Sequence, residues 1–185
     1  MPTSHSEEMQ LVKSAQQNLH SFARIYEKYF DKIYKFFHYR IRIQTDSEDL
    51  TSQTFEKAIK NLHSFNDQGF PFSTWLFRIA HNTLIDYFRE KGRHQNDCLH
   101  ELLPSQEPSV ELDHSLIDNQ NAIEKVKEII STLPQLHQEI WNLKLNADMS
   151  NKDIAETLNI NQNHVNVTMH RSLQVIKNKL KRYQF

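Results

Sequence analysis

Hydrophobic residues in the first half of the chain recur every three or four positions, the spacing that places them along one face of an α-helix. This pattern covers residues 22–37, 50–62 and 75–88, and it predicts three or four packed helices. Gly69 and Pro71 interrupt the pattern and predict a loop ahead of the last of these helices.

The second half of the chain shows the same spacing in shorter repeats. Residues 123–133 and 134–145 predict two helices, and residues 149–180 predict two more that are joined by a tight turn. In the last pair the inward positions are apolar, whereas the outward positions are mainly polar or basic. This arrangement is typical of a helix-turn-helix, and two helices packed only for stability are the alternative.

Several residues are predicted to lie at helix ends because of their capping chemistry. Ser47 and Ser150 are predicted N-caps, and Pro134 lies near the first position of its helix. Asn159 occupies the turn of the last helix pair, where such units usually carry glycine. Because asparagine tolerates a left-handed backbone, it agrees with a turn there. Asn161 is the predicted N-cap of the helix that follows.

The net charge of −1 is unevenly distributed along the chain. Residues 94–120 contain six acidic residues, two prolines and no lysine or arginine. They lack a sustained apolar face, so they predict a flexible acidic linker. The segments before and after carry net charges of +2 and +3. We therefore predict an all-α protein whose two small helical domains, residues 1–93 and 121–185, are joined by this linker.

The composition also bears on where the protein works. No apolar run approaches the roughly 18 residues of a membrane span, and the first ten residues lack the pattern of a signal peptide. The single cysteine, Cys98, cannot form an internal disulfide, which fits a reducing compartment. We therefore expect a cytoplasmic protein that has no contact with a membrane.

Two groups of polar residues raise the question of metal binding or catalysis. His94, Cys98 and His100 lie close together, but no fourth zinc ligand is evident in the sequence. Glu48 and Asp49 are adjacent, so on a helix their carboxylates point in different directions, and helix capping explains them better. We predict no enzyme activity, no cofactor and no metal site.

Four stretches of the chain, in the family's order, resemble the bacterial RNA polymerase sigma factors of the extracytoplasmic-function type, within the sigma-70 family. The first two are FARIYEKYFDKIYKFF, similar to the family's first conserved helix, and SEDLTSQTFEKAIKNLHSF, similar to the helix that docks on the polymerase clamp. The third is FPFSTWLFRIAHNTLIDYFREKGR, similar to the segment that opens and holds the minus ten element. The fourth is LPQLHQEIWNLKL with the helix-turn-helix, which resembles the domain that reads the minus thirty-five element.

The resemblance implies a sigma factor, which directs core RNA polymerase to specific promoters and assists strand opening. It implies that residues 1–93 dock on polymerase and melt the minus ten element, and that residues 121–185 bind the minus thirty-five element. It also implies that the linker threads a channel meant for RNA. Core RNA polymerase and promoter DNA are the implied partners, and an anti-sigma factor is a further partner that the resemblance leaves open.

The predicted site residues form three groups. Most aromatic side chains between residues 65 and 88 are expected in the core, so the loop residues are the better candidates for capturing a base from a melted strand. The minus thirty-five group is Asn163, His164, Asn166, Val167, His170, Arg171, Lys177 and Lys179. The minus ten group is Ser64, Phe65, Asn66, Asp67, Phe70, Trp75, Arg78, His81, Asn82 and Arg89. The polymerase-binding group is Asp49, Leu50, Gln53, Thr54 and Glu56.

The alternative function is a stand-alone helix-turn-helix regulator that binds duplex DNA without polymerase. Its first domain would then sense a ligand or form a dimer. The acidic linker and the mixed aromatic and basic segment favour the sigma factor, because a repressor needs neither. A small nuclease is disfavoured, since the sequence shows no cluster of metal ligands and no nucleophile paired with a base.

Overall fold

A computed structural model describes residues 5–92 and 120–181, and every long element within those ranges is an α-helix. The prediction of an all-α protein is therefore confirmed for the described part of the chain. The predicted linker lies outside the described residues, apart from Gln120, which opens a helix. His94, Cys98 and His100 lie outside them as well.

Residues 5–92, called the first domain below, form four helices, and three of these match the stretch 22–88 where three or four were predicted. The four helices are α1 (His5–Gln17), α2 (Phe22–Ile41), α3 (Gln44–Asn61) and α4 (Phe72–Glu90), with short 3-10 turns at Leu19–Ser21 and Leu62–Ser64. Helix α1 precedes the first predicted repeat and was missed. Its buried residues Met9, Val12 and Ala15 follow a three-residue spacing that is visible in the sequence.

The core of this domain is built largely from aromatic side chains. Phe36, Phe37, Phe72 and Phe77 are completely buried, and the rings of Phe36 and Phe77 meet edge to face with their centroids 5.7 Å apart. Burying one such side chain contributes about 1.5–3 kcal/mol. Because Phe72 belongs to the first turn of α4, its burial ties the start of that helix to the core.

The predicted N-cap at Ser47 is wrong. Helix α3 begins at Gln44, one turn earlier, and the Ser47 hydroxyl donates to the Ile43 carbonyl oxygen over 2.7 Å inside the helix. The backbone explains the difference. Arg42 adopts a left-handed conformation with φ of 57° that ends α2, and the extended Ile43 already redirects the chain into α3.

The second domain also contains four helices, close to the predicted boundaries. They are α5 (Gln120–Ser131), α6 (Gln135–Asn146), α7 (Asn151–Leu158) and α8 (Gln162–Lys181). Pro134 immediately precedes α6, one residue before its predicted place. Helix α7 packs against α4, and α6 packs against α2, so the two helical domains are in contact.

The start of α7 and the turn between α7 and α8 have the predicted capping residues. The Ser150 hydroxyl accepts the Asp153 backbone N–H over 3.1 Å and caps α7. Asn159 is left-handed, with φ of 55° and ψ of 46°, and Asn161 accepts the Asn163 backbone N–H over 2.8 Å. Helices α7 and α8 are thus joined by a tight turn whose left-handed residue is Asn159.

Replacing Asn159 tests the backbone requirement of this turn. Asn159→Ala should lower the free energy of unfolding by about 1 kcal/mol, because alanine tolerates the left-handed conformation less well than asparagine. Asn159→Gly should retain the stability. Urea unfolding followed by circular dichroism measures both, with Asn178→Ala on the exposed face of α8 as the matched control. An Asn159→Ala protein as stable as the wild type would contradict the left-handed turn.

Candidate nucleic-acid interface

The loop at residues 65–71 connects α3 to α4 and has an anchored base and an exposed tip. The buried Phe65 ring lies against Phe72 and Trp75, with centroid distances of 5.2 and 5.3 Å. At the tip, the Asp67 carboxylate accepts the Gly69 N–H over 2.8 Å. Gly69 has φ of 81°, which glycine adopts without strain. The loop is therefore held at one end and shaped by a turn at its centre.

Six of the ten residues of the predicted minus ten group converge on one cavity. It encloses about 160 Å³ beside the 65–71 loop. The six are Ser64, Phe65, Asn66, Phe70, Trp75 and Arg78. The cavity combines aromatic surface, amide groups and one guanidinium, which are the groups that bind an unstacked base.

Helix α7 of the second domain covers part of this cavity. The Arg78 guanidinium pairs with the Glu156 carboxylate and also donates to the Glu156 carbonyl oxygen. The Lys152 ammonium lies 4.7 Å from the centroid of the Phe70 ring. Glu156 itself lines the cavity. In this conformation α7 therefore lies against Arg78 and Phe70 at the edge of the cavity.

A buried carboxylate lies at a second contact between the domains. Glu139 of α6 is only 7% exposed, and its Oε2 lies 3.4 Å from His81 Nε2 on α4. Its Oε1 lies 3.8 Å from an Arg40 nitrogen on α2 and accepts from Gln135 over 2.9 Å. Burial alone would raise the pKa of Glu139, but the hydrogen bonds from His81 and Gln135 and the attraction of Arg40 outweigh it and lower that pKa. His81 is thus engaged within the protein.

Further polar contacts strengthen the packing of α6 on α2. Arg40 donates to the Gln138 side-chain oxygen over 2.9 Å, and Asn142, which is buried, donates to the Phe36 carbonyl oxygen over 3.0 Å. These contacts were not predicted, since they join residues about a hundred positions apart in sequence. The sequence offered one indication of these contacts, namely polar residues at helix positions that face inward.

The remaining residues of the predicted minus ten group lie outside the cavity. Asp67 is exposed at the loop tip, and Asn82 and Arg89 are exposed on α4. Arg89 pairs with Asp86 over 3.0 Å. Their exposure leaves them accessible to a partner, although they do not line the cavity beside the 65–71 loop.

The predicted minus thirty-five residues follow one side of α8. Asn163, Arg171 and Lys177 are exposed, whereas the others are partly buried. Asn166 and Lys179 are among these partly buried residues. The Asn166 side-chain oxygen accepts from Asn151 over 2.8 Å, and Lys179 donates to the Thr132 hydroxyl over 2.8 Å. The partly buried remainder is His164, Val167 and His170.

The predicted polymerase-binding residues divide between the two faces of α3. Asp49, Gln53 and Glu56 are exposed, and Glu56 pairs with Lys60 on the next turn over 2.7 Å. Leu50 and Thr54 are buried in the domain, with the Thr54 hydroxyl donating to the Leu50 carbonyl oxygen over 2.8 Å. Only three of the five predicted polymerase-binding residues therefore lie on the exposed face of α3.

The described residues bear on two further features, a metal site and a helix that could span a membrane. Residues 5–92 and 120–181 contain no group of three or more His, Cys, Asp or Glu side chains arranged to hold a metal ion. None of their helices is both long and apolar enough to cross a membrane.

The geometry agrees with the comparison of this chain with known proteins. The family profile "Sigma-70 region 2" matches residues 25–94, which include α3, the 65–71 loop and α4. The ECF RNA polymerase sigma factor BldN of Streptomyces coelicolor is 27% identical over 169 residues, covering 91% of this chain and 64% of BldN. The ECF RNA polymerase sigma factor SigW of Bacillus subtilis is 28% identical over 179 residues, covering 92% of this chain and 93% of SigW.

The chain is similar over most of its length to extracytoplasmic-function sigma factors, and these matches support a sigma factor of that type within the sigma-70 family. These proteins direct RNA polymerase to promoters, so this function is better supported than a stand-alone regulator. The fold agrees: the sigma factor RpoE of Bartonella quintana, solved with the anti-sigma factor NepR, superposes with a TM-score of 0.63. That alignment has 19% identity and covers 86% of this chain and 96% of RpoE.

Neutralising Glu139 tests the buried contact between the domains of this sigma factor. Glu139→Gln should lower the free energy of unfolding by about 1–3 kcal/mol, because the amide no longer balances the Arg40 charge. Since the folded pKa lies below the ordinary value of 4.5, the carboxylate contributes fully above pH 4.5 and loses its effect as the pH falls through the folded value.

The stability difference between wild type and Glu139→Gln should therefore shrink on acidification below pH 4.5. Urea unfolding at several pH values measures it, with Glu124→Gln on the exposed face of α5 as the control. A difference that stayed constant across this range would show that Glu139 ionisation is not coupled to folding.

Proposed function

We propose that this sigma factor uses three separate surfaces to start transcription. Residues 1–93 dock on core RNA polymerase and open the minus ten element, and residues 121–185 bind the minus thirty-five element. The observation that carries the proposal is the cavity beside the 65–71 loop, where six residues selected from the sequence converge.

The cavity beside the loop is the proposed site for a base from the melted strand. Asn66 supplies an amide for the base edge, Phe70 supplies an aromatic face, and Arg78 supplies a positive charge near the strand. In the closed arrangement Glu156 pairs with Arg78, so α7 has to leave before DNA enters. We propose that binding to polymerase separates the domains and exposes this surface.

Helix α8 is the proposed reader of the minus thirty-five element. Asn163 lies near its exposed N-terminal end, which in helix-turn-helix proteins contacts base edges. Arg171 and Lys177 are exposed farther along and can neutralise phosphates. Lys179 is a weaker candidate because its ammonium already donates to Thr132.

The exposed side of α3 is the proposed polymerase-docking face, with Asp49, Gln53 and Glu56 as its contacts. Leu50 and Thr54 support this face from inside the domain. RpoE of Bartonella quintana binds the anti-sigma factor NepR, so an anti-sigma factor is also a proposed partner here. We propose that the protein acts in the cytoplasm, without a cofactor and without catalysing a reaction itself.

Transcription in vitro tests the proposed function directly. Purified protein should bind promoter duplex weakly by itself, because in the closed arrangement Glu156 of α7 pairs with Arg78 and lines the cavity. With core polymerase it should direct RNA synthesis from a specific start site. Gel shift and primer extension measure these two properties.

A charge reversal on α3 shows whether polymerase docking is responsible. Asp49→Lys should abolish start-specific RNA while leaving duplex binding unchanged, whereas Glu124→Lys on exposed α5 should leave both unchanged. Tight and specific duplex binding by the protein alone, with no RNA on adding core enzyme, would instead identify a stand-alone regulator.

Replacing one amide on α8 tests minus thirty-five recognition. Asn163→Ala should reduce the preference at one base pair by about 1–3 kcal/mol, because the side-chain amide can pair with a base edge. Lys177→Ala should instead weaken binding to all sequences and reduce the salt slope by about one. Competition binding of a promoter library by the polymerase complex measures both. Unchanged preference at every position in Asn163→Ala would exclude this residue from base recognition.

A further inference from the structure

Helix α1 reaches both ends of the 65–71 loop with two polar side chains. Gln16 contacts the segment that enters the loop, and Glu8 contacts the first residue after it. Of the described residues that line the cavity beside this loop, none belongs to α1. The helix therefore influences the cavity only through the backbone that it holds.

Gln16 holds the entry to the loop. Its side-chain nitrogen donates to the Leu62 carbonyl oxygen and to the Phe65 carbonyl oxygen, both over 2.9 Å. An amide nitrogen has two hydrogens, so both are used in these bonds. The Leu62 carbonyl oxygen also accepts from the Phe65 N–H over 3.1 Å. Gln16 thus reinforces the turn that sets the position of the buried Phe65 ring.

Glu8 holds the exit from the loop. Its carboxylate, on a residue only 8% exposed, accepts the Phe72 backbone N–H over 3.2 Å at the first residue of α4. The first N–H groups of a helix have no partner within the helix, and its N-terminus favours a negative charge. Glu8 therefore both caps α4 and fixes the point where the loop ends.

Two side chains of α2 hold Glu8 in place. The other carboxylate oxygen of Glu8 accepts from the Lys28 ammonium over 2.7 Å and from the Tyr29 hydroxyl. Burial and the nearby Glu8 charge raise the pKa of Tyr29, so its hydroxyl keeps its proton and remains a donor at neutral pH. The carboxylate is consequently oriented by donors from α2 and α4 together.

We propose that Glu8 and Gln16 are positioning residues for promoter recognition: by holding both ends of the 65–71 loop, α1 sets how strictly the loop discriminates the captured base. The inference rests on the proposed role of this loop. A loop whose ends are held loses less conformational freedom when it closes on a ligand, and it presents its side chains in one arrangement. Loosening either end should therefore reduce discrimination rather than remove the cavity.

The sharpest variant is Gln16→Met, which keeps the length of the side chain and removes both donated hydrogen bonds. Gln17→Met is the matched control, since Gln17 is exposed on the next position of α1. Glu8→Gln loosens the other end of the loop while retaining the shape of the side chain. Thermal unfolding by circular dichroism identifies a temperature at which each protein is folded.

Hydrogen exchange measures the hold on the loop independently of transcription. The N–H groups of Phe65 and Gly69 are hydrogen-bonded in the wild type. Their exchange should become about threefold faster or more in Gln16→Met, the effect of losing one to two modest hydrogen bonds, and stay unchanged in Gln17→Met. Equal exchange in both variants would overturn the inference.

Transcription with core polymerase then measures how strongly the protein discriminates between bases in the minus ten element. The four templates differ only at the base that the wild type distinguishes. The ratio between the best and the other templates should fall about threefold or more in Gln16→Met and in Glu8→Gln. Discrimination at the minus thirty-five element should not change. A variant that was merely less stable would lose activity by the same factor on every template.

The outcomes separate this inference from the function on which it rests. If wild-type protein gives no start-specific RNA, or distinguishes no base in the minus ten element, the proposed function of the loop fails and the inference fails with it. If the wild type discriminates and Gln16→Met discriminates equally well, only the positioning role is wrong. Faster exchange together with reduced discrimination supports the inference.

Discussion

The burial of Phe72 at the first turn of α4 is the contact on which the candidate interface depends. Its completely buried ring packs against Tyr29 of α2, Phe65 at the start of the loop and Trp75 one turn later. Because one aromatic side chain contacts α2, the start of the loop and the next residues of α4, it fixes where the loop stops and α4 begins. The cavity, Arg78 and His81 take their positions from that starting point.

Helix α4 connects this anchored loop to the second domain. Arg78 and His81 lie one turn apart on α4 and meet carboxylates on two different helices, Glu156 of α7 and Glu139 of α6. The residues proposed to contact a DNA strand are therefore also residues that hold the domains together. Under the proposed function, DNA binding competes with domain closure for Arg78, so a partner that separates the domains also uncovers the cavity.

The two carboxylate contacts differ in their physical character. Arg78 and Glu156 are 42% and 35% exposed at their side chains, so water and salt screen their attraction, and such pairs contribute about 0–1 kcal/mol. Glu139 is 7% exposed and has partners from α2, α4 and its own helix. Removing one partner from such a buried group is costly, so of the two carboxylate contacts the one made by Glu139 is the more expensive to break.

Local features of the sequence determined the helices and the turn at Asn159, because helix periodicity, capping and left-handed tolerance act within a few residues. The loop residues that line the cavity were also predictable, since Gly69 and Pro71 mark the loop and aromatic residues flank it. The tertiary structure alone decided the burial of Leu50 and Thr54 and the partners of Arg78 and His81. Those outcomes depend on contacts between distant segments, such as Asn142 with Phe36. Such contacts decide which polar side chains of a helix are buried and which stay exposed.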